Sequence, residues 1–149
     1  MDHIVTEPEY MKAEPILPIG VSAKLVGVCP STLRMYEESG LIIPHKTSTN
    51  MRLFSQNDIE WVRFLRDLIK REKISIEAIR RILAIIPCWK IKKCKPPERN
   101  DCLAYRNSTS PCWDLQEVNG PCKGYECGEC VVYGMKYQAF NTKEMLSEY

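Results

Sequence analysis

The chain has 149 residues, of which 44% are hydrophobic and 27% charged, and its formal net charge is +2 at pH 7. Its longest apolar run, residues 82–86, is far shorter than the roughly 20 residues of a membrane helix. Residues 1–4 lack the basic stretch and apolar core of a secretory signal. We therefore expect a cytoplasmic protein with no membrane partner, whose eight cysteines do not form an extracellular disulfide framework.

The N-terminal part predicts an arm followed by two short helices. Residues 1–17 show no periodicity and are rich in Glu and Pro, which favours a flexible arm. Residues 19–26 predict a helix, and Gly27 follows where a tight turn between helices needs positive φ. Pro30 starts a second helix that carries Tyr36. The pattern is typical of a helix-turn-helix.

A hairpin is expected next. Residues 41–44 are apolar and β-branched enough for a short strand, and residues 52–54 look like its partner. The polar loop 45–51 between them contains a basic residue, as in a wing beside a helix-turn-helix. Residues 20–86 hold 11 Lys and Arg against 7 Asp and Glu, a surplus that permits DNA binding.

Two further helices follow the hairpin. Ser55 with Asp58 predicts a capped helix start, and Ser75 predicts a second. The expected end of the fourth helix is Ile86, just before Pro87. The apolar positions recur at helical spacing in both helices: Ile59, Val62, Leu65 and Ile69 in the third, and Ile76, Ile79, Leu83 and Ile86 in the fourth.

Several phrases within residues 19–83 resemble the DNA-binding domain of the MerR family of transcription regulators. Pro30 and Met35 are similar to its HspR-like branch. The matching phrases are Thr32-Leu33-Arg34-Met35-Tyr36-Glu37, Gly40-Leu41-Ile42 with Pro44, Arg52-Leu53-Phe54-Ser55, Asp58-Ile59 and Ile74-Ser75-Ile76-Glu77-Ala78-Ile79.

The resemblance implies a winged helix that places residues 31–38 in the major groove of double-stranded DNA and the wing against the backbone or minor groove. For Tyr36 the alternative is a core aromatic residue, and for Arg52 it is an ion pair that steadies the hairpin. The DNA contacts implied are Ser31, Thr32, Arg34 and Tyr36 from the helix, and Lys46 and Arg52 from the wing.

The chain departs from the MerR pattern after the fourth helix. The family usually pairs through a long antiparallel helix, but here Pro87-Cys88 follows directly. We still expect a homodimer, with the C-terminal tail supplying what the long helix supplies elsewhere. Asn50-Met51 stands where the family commonly has Gly and an aromatic residue, which predicts a different wing turn.

The tail carries seven of the eight cysteines and no histidine. The phrase Pro-Cys-Trp occurs twice, at residues 87–89 and 111–113, and Cys127 and Cys130 form one close chelate pair. Thiols at this density in a cytosol are interpreted as ligands, whereas Cys29 is interpreted as a buried apolar residue.

Residues 87–133 resemble the two-CW modules attached to sensor and regulator proteins, mainly in anaerobes. This resemblance favours metal binding. The matching pieces are Cys88-Trp89-Lys90-Ile91-Lys92-Lys93-Cys94, Asp101-Cys102-Leu103-Ala104-Tyr105, Pro111-Cys112-Trp113 and Cys127-Gly128-Glu129-Cys130-Val131-Val132-Tyr133.

An iron-sulfur cluster, with [4Fe–4S] favoured, is expected because its large core tolerates wide ligand separations. Zinc, which usually takes two close pairs, and thiol-disulfide switching are the alternatives. Trp89 and Trp113 either shield the site from water or form ordinary core. The predicted ligands are Cys88, Cys112, Cys127 and Cys130, with Cys94, Cys102 and Cys122 as alternatives.

The fold class predicted is mainly α: a flexible arm (residues 1–17), a winged helix-turn-helix (18–86) and a small cysteine-rich metal-binding module (87–149). The function predicted is a DNA-binding transcription regulator whose tail senses redox state, oxygen or metal, with loss of the cluster releasing the end of the fourth helix. The alternatives are a regulator with a structural zinc tail and a protein-interaction adaptor. An enzyme is not expected, since there is no nucleophile-base pair, phosphate-binding glycine loop or carboxylate dyad.

Overall fold

The computed structural model describes residues 13–107, 109–115, 122, 126–141 and 143. The chain divides into two compact units, the first made of Met1–Glu38 with Pro44–Lys73 and the second of Ser39–Ile43 with Ile74–Tyr149. Most of the predicted arm, residues 1–12, lies outside the described residues. The second unit thus contains five residues from the middle of the first half of the sequence.

The helix-turn-helix of the first unit has the predicted form. Helix α1 spans Ile19–Val26 and helix α2 spans Pro30–Glu38. Gly27 adopts φ +81°, and its N–H donates to the carbonyl oxygen of Ala23 at 2.8 Å. Glycine adopts this left-handed conformation without the steric cost that a Cβ would bring, so the chain can reverse here.

The sheet has three short antiparallel strands in the order β1-β3-β2, namely β1 (Leu17–Pro18), β2 (His45–Lys46) and β3 (Arg52–Phe54). Leu17 lies opposite Phe54, and His45 opposite Leu53. Asn50 closes the wing turn at φ +64°, a conformation that Asn adopts more readily than most residues.

The predicted strand at residues 41–44 is wrong, since the paired strand begins at His45. Leu41 and Ile42 are both fully buried, whereas a half-buried strand would alternate. The backbone here bonds to side chains instead. The indole N–H of Trp113 donates to the carbonyl of Gly40. The hydroxyl oxygen of Tyr133 accepts from the N–H of Ile43.

Helix α3 spans Gln56–Lys70 and begins with the predicted capping box. The Ser55 hydroxyl accepts from the Asp58 N–H at 3.1 Å, and the Asp58 carboxylate accepts from the Ser55 N–H at 2.9 Å. Leu68 is buried at the end of the apolar stripe, in place of the predicted Ile69. The buried face consists of Ile59, Trp61, Val62, Leu65 and Leu68.

The first helix of the second unit is α4, Ile76–Leu83, which Ser75 caps as predicted. The helix ends three residues before the predicted Ile86, because the backbone tightens there into a turn in which the Ile86 N–H bonds to the Leu83 carbonyl. Short helices follow: α5 (Cys88–Ile91), α6 (Pro96–Asn100), α7 (Leu103–Arg106) and α8 (Val131–Gly134), with 3₁₀ turns at Cys112–Asp114, Cys127–Glu129 and Gln138–Phe140.

Candidate functional site

Helix α2 presents two different faces. Ser31 and Arg34 are exposed and Thr32 is half-buried, while Leu33 and Tyr36 are buried. Tyr36 is only 3% exposed, and burial raises the pKa of its hydroxyl, with Arg66 acting in the opposite sense. Tyr36 therefore lies as a core aromatic residue, while Ser31 and Arg34 face solvent.

Both predicted wing cations are paired with one acid on α2. Lys46 Nζ lies 3.1 Å from a carboxylate oxygen of Glu37, and Arg52 donates to the other oxygen from Nε. The Glu37 side chain is 15% exposed, so this pairing is partly shielded from water. The pairing links the wing strands to α2. Arg52 thus forms the ion pair that was the alternative to a DNA contact.

Two arginines that sequence reasoning missed fasten the end of α1. Arg66 Nη1 donates to the carbonyl oxygens of Val26 and Gly27 at 2.8 and 3.3 Å, and Arg63 Nη2 donates to that of Leu25 at 3.0 Å. Cationic donors at a helix C-terminus satisfy free carbonyls and complement the helix dipole. Their positions on α3 carry no sequence signal, because the pairing spans about 40 residues.

A cavity in the second unit is lined mainly by cysteine. Its volume is about 20 Å³, roughly one water-sized group. Its walls are Cys112, Cys122, Cys127, Cys130, Trp113, Val132 and Tyr133. Three of the four predicted ligands and one alternative therefore meet here.

The fourth predicted ligand, Cys88, hydrogen-bonds to Cys112 through its side chain. That bond lowers the pKa of Cys88 despite burial, and it raises the pKa of Cys112, which burial raises further. Burial also raises the pKa of Cys122 to about 11. The single cysteines of the two Pro-Cys-Trp repeats, Cys88 and Cys112, are thus in direct contact.

The remaining alternatives lie beside Cys88. Burial raises the pKa of the Cys94 thiol, and the thiols of Cys88 and Cys102 raise it further through their charge. Cys102 is itself buried. Cys29, in contrast, is exposed in the turn before α2, so the prediction that it is buried was wrong. Nothing in the spacing of the sequence distinguishes an outward thiol in this turn from an inward one.

The donor set of the cavity fits a metal centre held by thiolates, because several soft ligands converge on an apolar pocket. Among the residues that the structure describes, no group of three or more His, Cys, Asp or Glu side chains is already arranged to hold a metal ion. Binding requires the thiols to move together.

Each Pro-Cys-Trp repeat carries a tryptophan packed edge-to-face on a tyrosine. The ring centroids of Trp89 and Tyr105 are 5.2 Å apart at 83°, and those of Trp113 and Tyr133 are 5.1 Å apart at 86°. Both tryptophans are half-buried. The repeat seen in the sequence is thus also a repeat of aromatic packing.

Comparison with known proteins identifies the helix-turn-helix. Residues 17–85 match the family described as MerR HTH family regulatory protein. These residues are a MerR-family domain. The match runs from β1 through α4, so it includes the wing and both later helices of the MerR-type domain. The description of that family is one of regulatory proteins.

Several curated proteins are similar to about half of this chain. The chain is 36% identical over 77 residues to the putative heat shock protein HspR of Streptomyces coelicolor, covering 52% of this chain and 51% of that protein. It is 32% identical over 75 residues to the regulator GlnR of Bacillus cereus, covering 50% of this chain and 57% of GlnR. The regulator HmrR of Sinorhizobium medicae is 35% identical over 68 residues, or 45% and 46% of the two chains.

The chain spans about half the length of the curated relatives it matches. The family match ends at residue 85, close to the end of α4, and does not include the cysteine-rich tail. In the part of the chain that the structure describes, no helix is both long and apolar enough to cross a membrane.

Proposed function

We propose that this chain is a DNA-binding transcription regulator that acts as a homodimer on double-stranded DNA. The observation that carries the proposal is the MerR-family domain with Ser31 and Arg34 exposed on α2. In helix-turn-helix proteins the second helix lies in the major groove. The names of the relatives GlnR and HmrR, both HTH-type transcriptional regulators, support a regulatory role.

Arg34 is the residue on α2 best suited to read a base. A guanidinium can donate two hydrogen bonds to guanine or a phosphate in a fixed geometry. Thr32 and Ser31 precede it on the same helix and offer hydroxyls for phosphate or base edges. Lys46 and Arg52 both pair with Glu37 in the structure. Their cationic groups can supply phosphate contacts from the wing.

The test is selection of double-stranded DNA from a random library, followed by binding of the enriched sequence at several salt concentrations. Arg34→Ala is expected to lower the affinity by about 10- to 100-fold, from the loss of about 1–3 kcal/mol per base contact. Arg106→Ala, which removes the same charge from an exposed site in the tail, serves as the control.

Enrichment of no sequence, together with binding that is insensitive to salt, would contradict the DNA-binding proposal and favour a protein-interaction adaptor. Two related half-sites in the enriched DNA would support the homodimer, since a two-fold protein reads a two-fold site. Sedimentation of the protein alone would measure the same property independently.

We propose as well that the tail binds an iron-sulfur cluster, with [4Fe–4S] favoured, and senses redox state, oxygen or metal. Four thiols around an apolar cavity support this. Cys112, Cys127 and Cys130 would hold the group together with Cys88 or Cys122. Such a cluster would supply electron exchange at a potential set by its surroundings. The alternative is a structural zinc ion.

The experiment is purification without oxygen and measurement of iron, acid-labile sulfide and zinc per chain. Matched iron and sulfide would support the cluster, while stoichiometric zinc alone would support the structural role. Sensing further requires that loaded and cluster-free protein differ in affinity for the selected DNA. Equal affinities under strict anaerobiosis would remove sensing and leave DNA binding in place.

A further inference from the structure

Residues 39–43, here called the linker segment, are the stretch of chain that leads from α2 to strand β2. Gly40, Leu41 and Ile42 are buried. The segment belongs to the same compact unit as the cysteine-rich tail. The chain that leaves the proposed recognition helix is therefore packed among tail residues before it enters the wing.

Two hydrogen bonds from tail aromatics fasten the linker segment near its two ends. The indole Nε1–H of Trp113 donates to the carbonyl oxygen of Gly40 at 2.7 Å. The backbone N–H of Ile43 donates to the hydroxyl oxygen of Tyr133 at 3.1 Å. The two rings pack edge-to-face on each other, so the two attachments form one aromatic clamp, Trp113 with Tyr133.

A third contact fixes the segment at Gly40. This residue has φ +73°, and a Cβ placed on it would lie 2.6 Å from Cγ of Asp114. Asp114 in turn accepts from Arg80 Nη2 at 2.8 Å. The backbone of Gly40 thus lies directly against an ion pair between α4 and the turn that carries Trp113.

Both residues of the aromatic clamp also line the cysteine cavity. Trp113 follows Cys112 in one 3₁₀ turn. Tyr133 lies in α8, where Cys130 is the N-cap and its carbonyl accepts from the Gly134 N–H at 3.1 Å. A displacement of the Cys112 or Cys130 backbone therefore moves the donor to Gly40 or the acceptor from Ile43.

We propose that the aromatic clamp couples the cysteine cavity to the linker segment, so that drawing the thiols together around a thiophilic metal centre tightens the hold of Trp113 and Tyr133 on residues 39–43. The proposal rests on the proposed function, because it names how the state of the tail regulates the DNA-binding helix. The required elements of a switch are a local change at the thiols and a packed element that it biases. The linker segment is that element.

The test is hydrogen exchange of single protons, followed by NMR in the full chain without oxygen. Three samples are compared: metal-stripped protein, protein loaded with Zn²⁺, and protein reconstituted with iron and sulfide. At least one loading is expected to slow exchange of the Ile43 amide by up to about tenfold, the effect of strengthening one hydrogen bond. The indole Nε1–H of Trp113 is expected to slow in the same sample.

Tyr133→Phe separates coupling from general stabilisation, because it keeps the ring that packs on Trp113 and removes only the hydroxyl that Ile43 uses. The Ile43 amide should then lose its response to loading, while the Trp113 indole proton reports that the variant is folded. Tyr105→Phe alters the equivalent ring of the first Cys-Trp repeat and should keep the full response at Ile43.

The coupling is overturned if neither loading changes exchange at Ile43, or if Tyr133→Phe responds as the wild type does. Affinity for the selected DNA is measured on the same samples. Loss of all DNA binding with an intact exchange response would reject the proposed function and keep the coupling. DNA binding without any exchange response would reject the coupling alone.

Discussion

The carboxylate of Glu37 on α2 lies 3.1 Å from the ammonium nitrogen of Lys46 on β2. The same carboxylate pairs with Arg52 on β3, so one acid joins a helix to both strands of the hairpin. A mostly buried carboxylate that holds two cations contributes more than an exposed pair does. One side chain thus links α2 to both strands of the wing.

Glu37→Gln is expected to lower the free energy of unfolding by about 1 kcal/mol, because it leaves the half-buried Arg52 and the exposed Lys46 without their shared counter-charge. Urea unfolding followed by circular dichroism measures the change. Asp67→Asn is the matched control, since it breaks the Arg71–Asp67 pair, whose side chains are 82% and 65% exposed. A loss at Asp67 equal to that at Glu37 would contradict this account.

Gly40→Ala is expected to destabilise the protein by at least about 2 kcal/mol, since it adds left-handed strain to a contact of 2.6 Å with Asp114. Thermal unfolding measures the loss. Gly134→Ala provides the comparison, because nothing lies within 4 Å of a Cβ there and alanine favours the helix. A Gly40→Ala variant as stable as the wild type would show that the segment has room to shift.

Ser55→Ala is expected to reduce stability by about 1–2 kcal/mol, because the cap hydroxyl is lost and the Asp58 N–H is left without its acceptor. Ser55 is only 5% exposed, so water cannot easily replace it. Ser48→Ala, at an exposed position in the wing turn, should stay within about 0.5 kcal/mol of the wild type. Equal effects at both positions would argue against the capping box.

The first half of the fold could be predicted because its signals are local. The cap at Ser55, the reversal at Gly27 and the apolar spacing of α3 all act within a few residues. The strand predicted at 41–44 failed for the opposite reason. Its backbone partners, Trp113 and Tyr133, lie 73 and 90 residues away from Gly40 and Ile43, and no spacing rule connects such positions.

Cys112→Ser is expected to lower the metal content of anaerobically purified protein by at least half, because Cys112 both lines the cavity and contacts Cys88. Metal per chain is measured by elemental analysis before and after dialysis against a chelator. Cys29→Ser changes an exposed thiol in the helix-turn-helix and should leave the metal content unchanged. Equal metal in both variants would remove Cys112 from the proposed ligand set.

The candidate site could be predicted only in part, because some of its contacts join residues far apart in the sequence. Cysteine density and the Pro-Cys-Trp repeat indicated a thiol cluster, and Cys112, Cys127 and Cys130 do line one cavity. The sequence could not predict that Cys122 lines the same cavity or that Cys88 contacts Cys112. Both contacts depend on the path of the short turns between these cysteines. Likewise, the burial of Tyr36 and the exposure of Arg34 depend on which face of α2 packs against the core.

The placement of residues 39–43 has a consequence for how this chain can be taken apart or recombined. A fragment that ends where the MerR-family match ends, at residue 85, carries the linker segment but leaves behind the donor to Gly40 and the acceptor for Ile43. Leu41 and Ile42 then lose most of the unit in which they are packed, since only residues 74–85 of its later part remain. The tail therefore cannot be fused to an arbitrary winged helix. The recipient domain needs a glycine before its wing, followed by two apolar residues, in the positions of Gly40, Leu41 and Ile42.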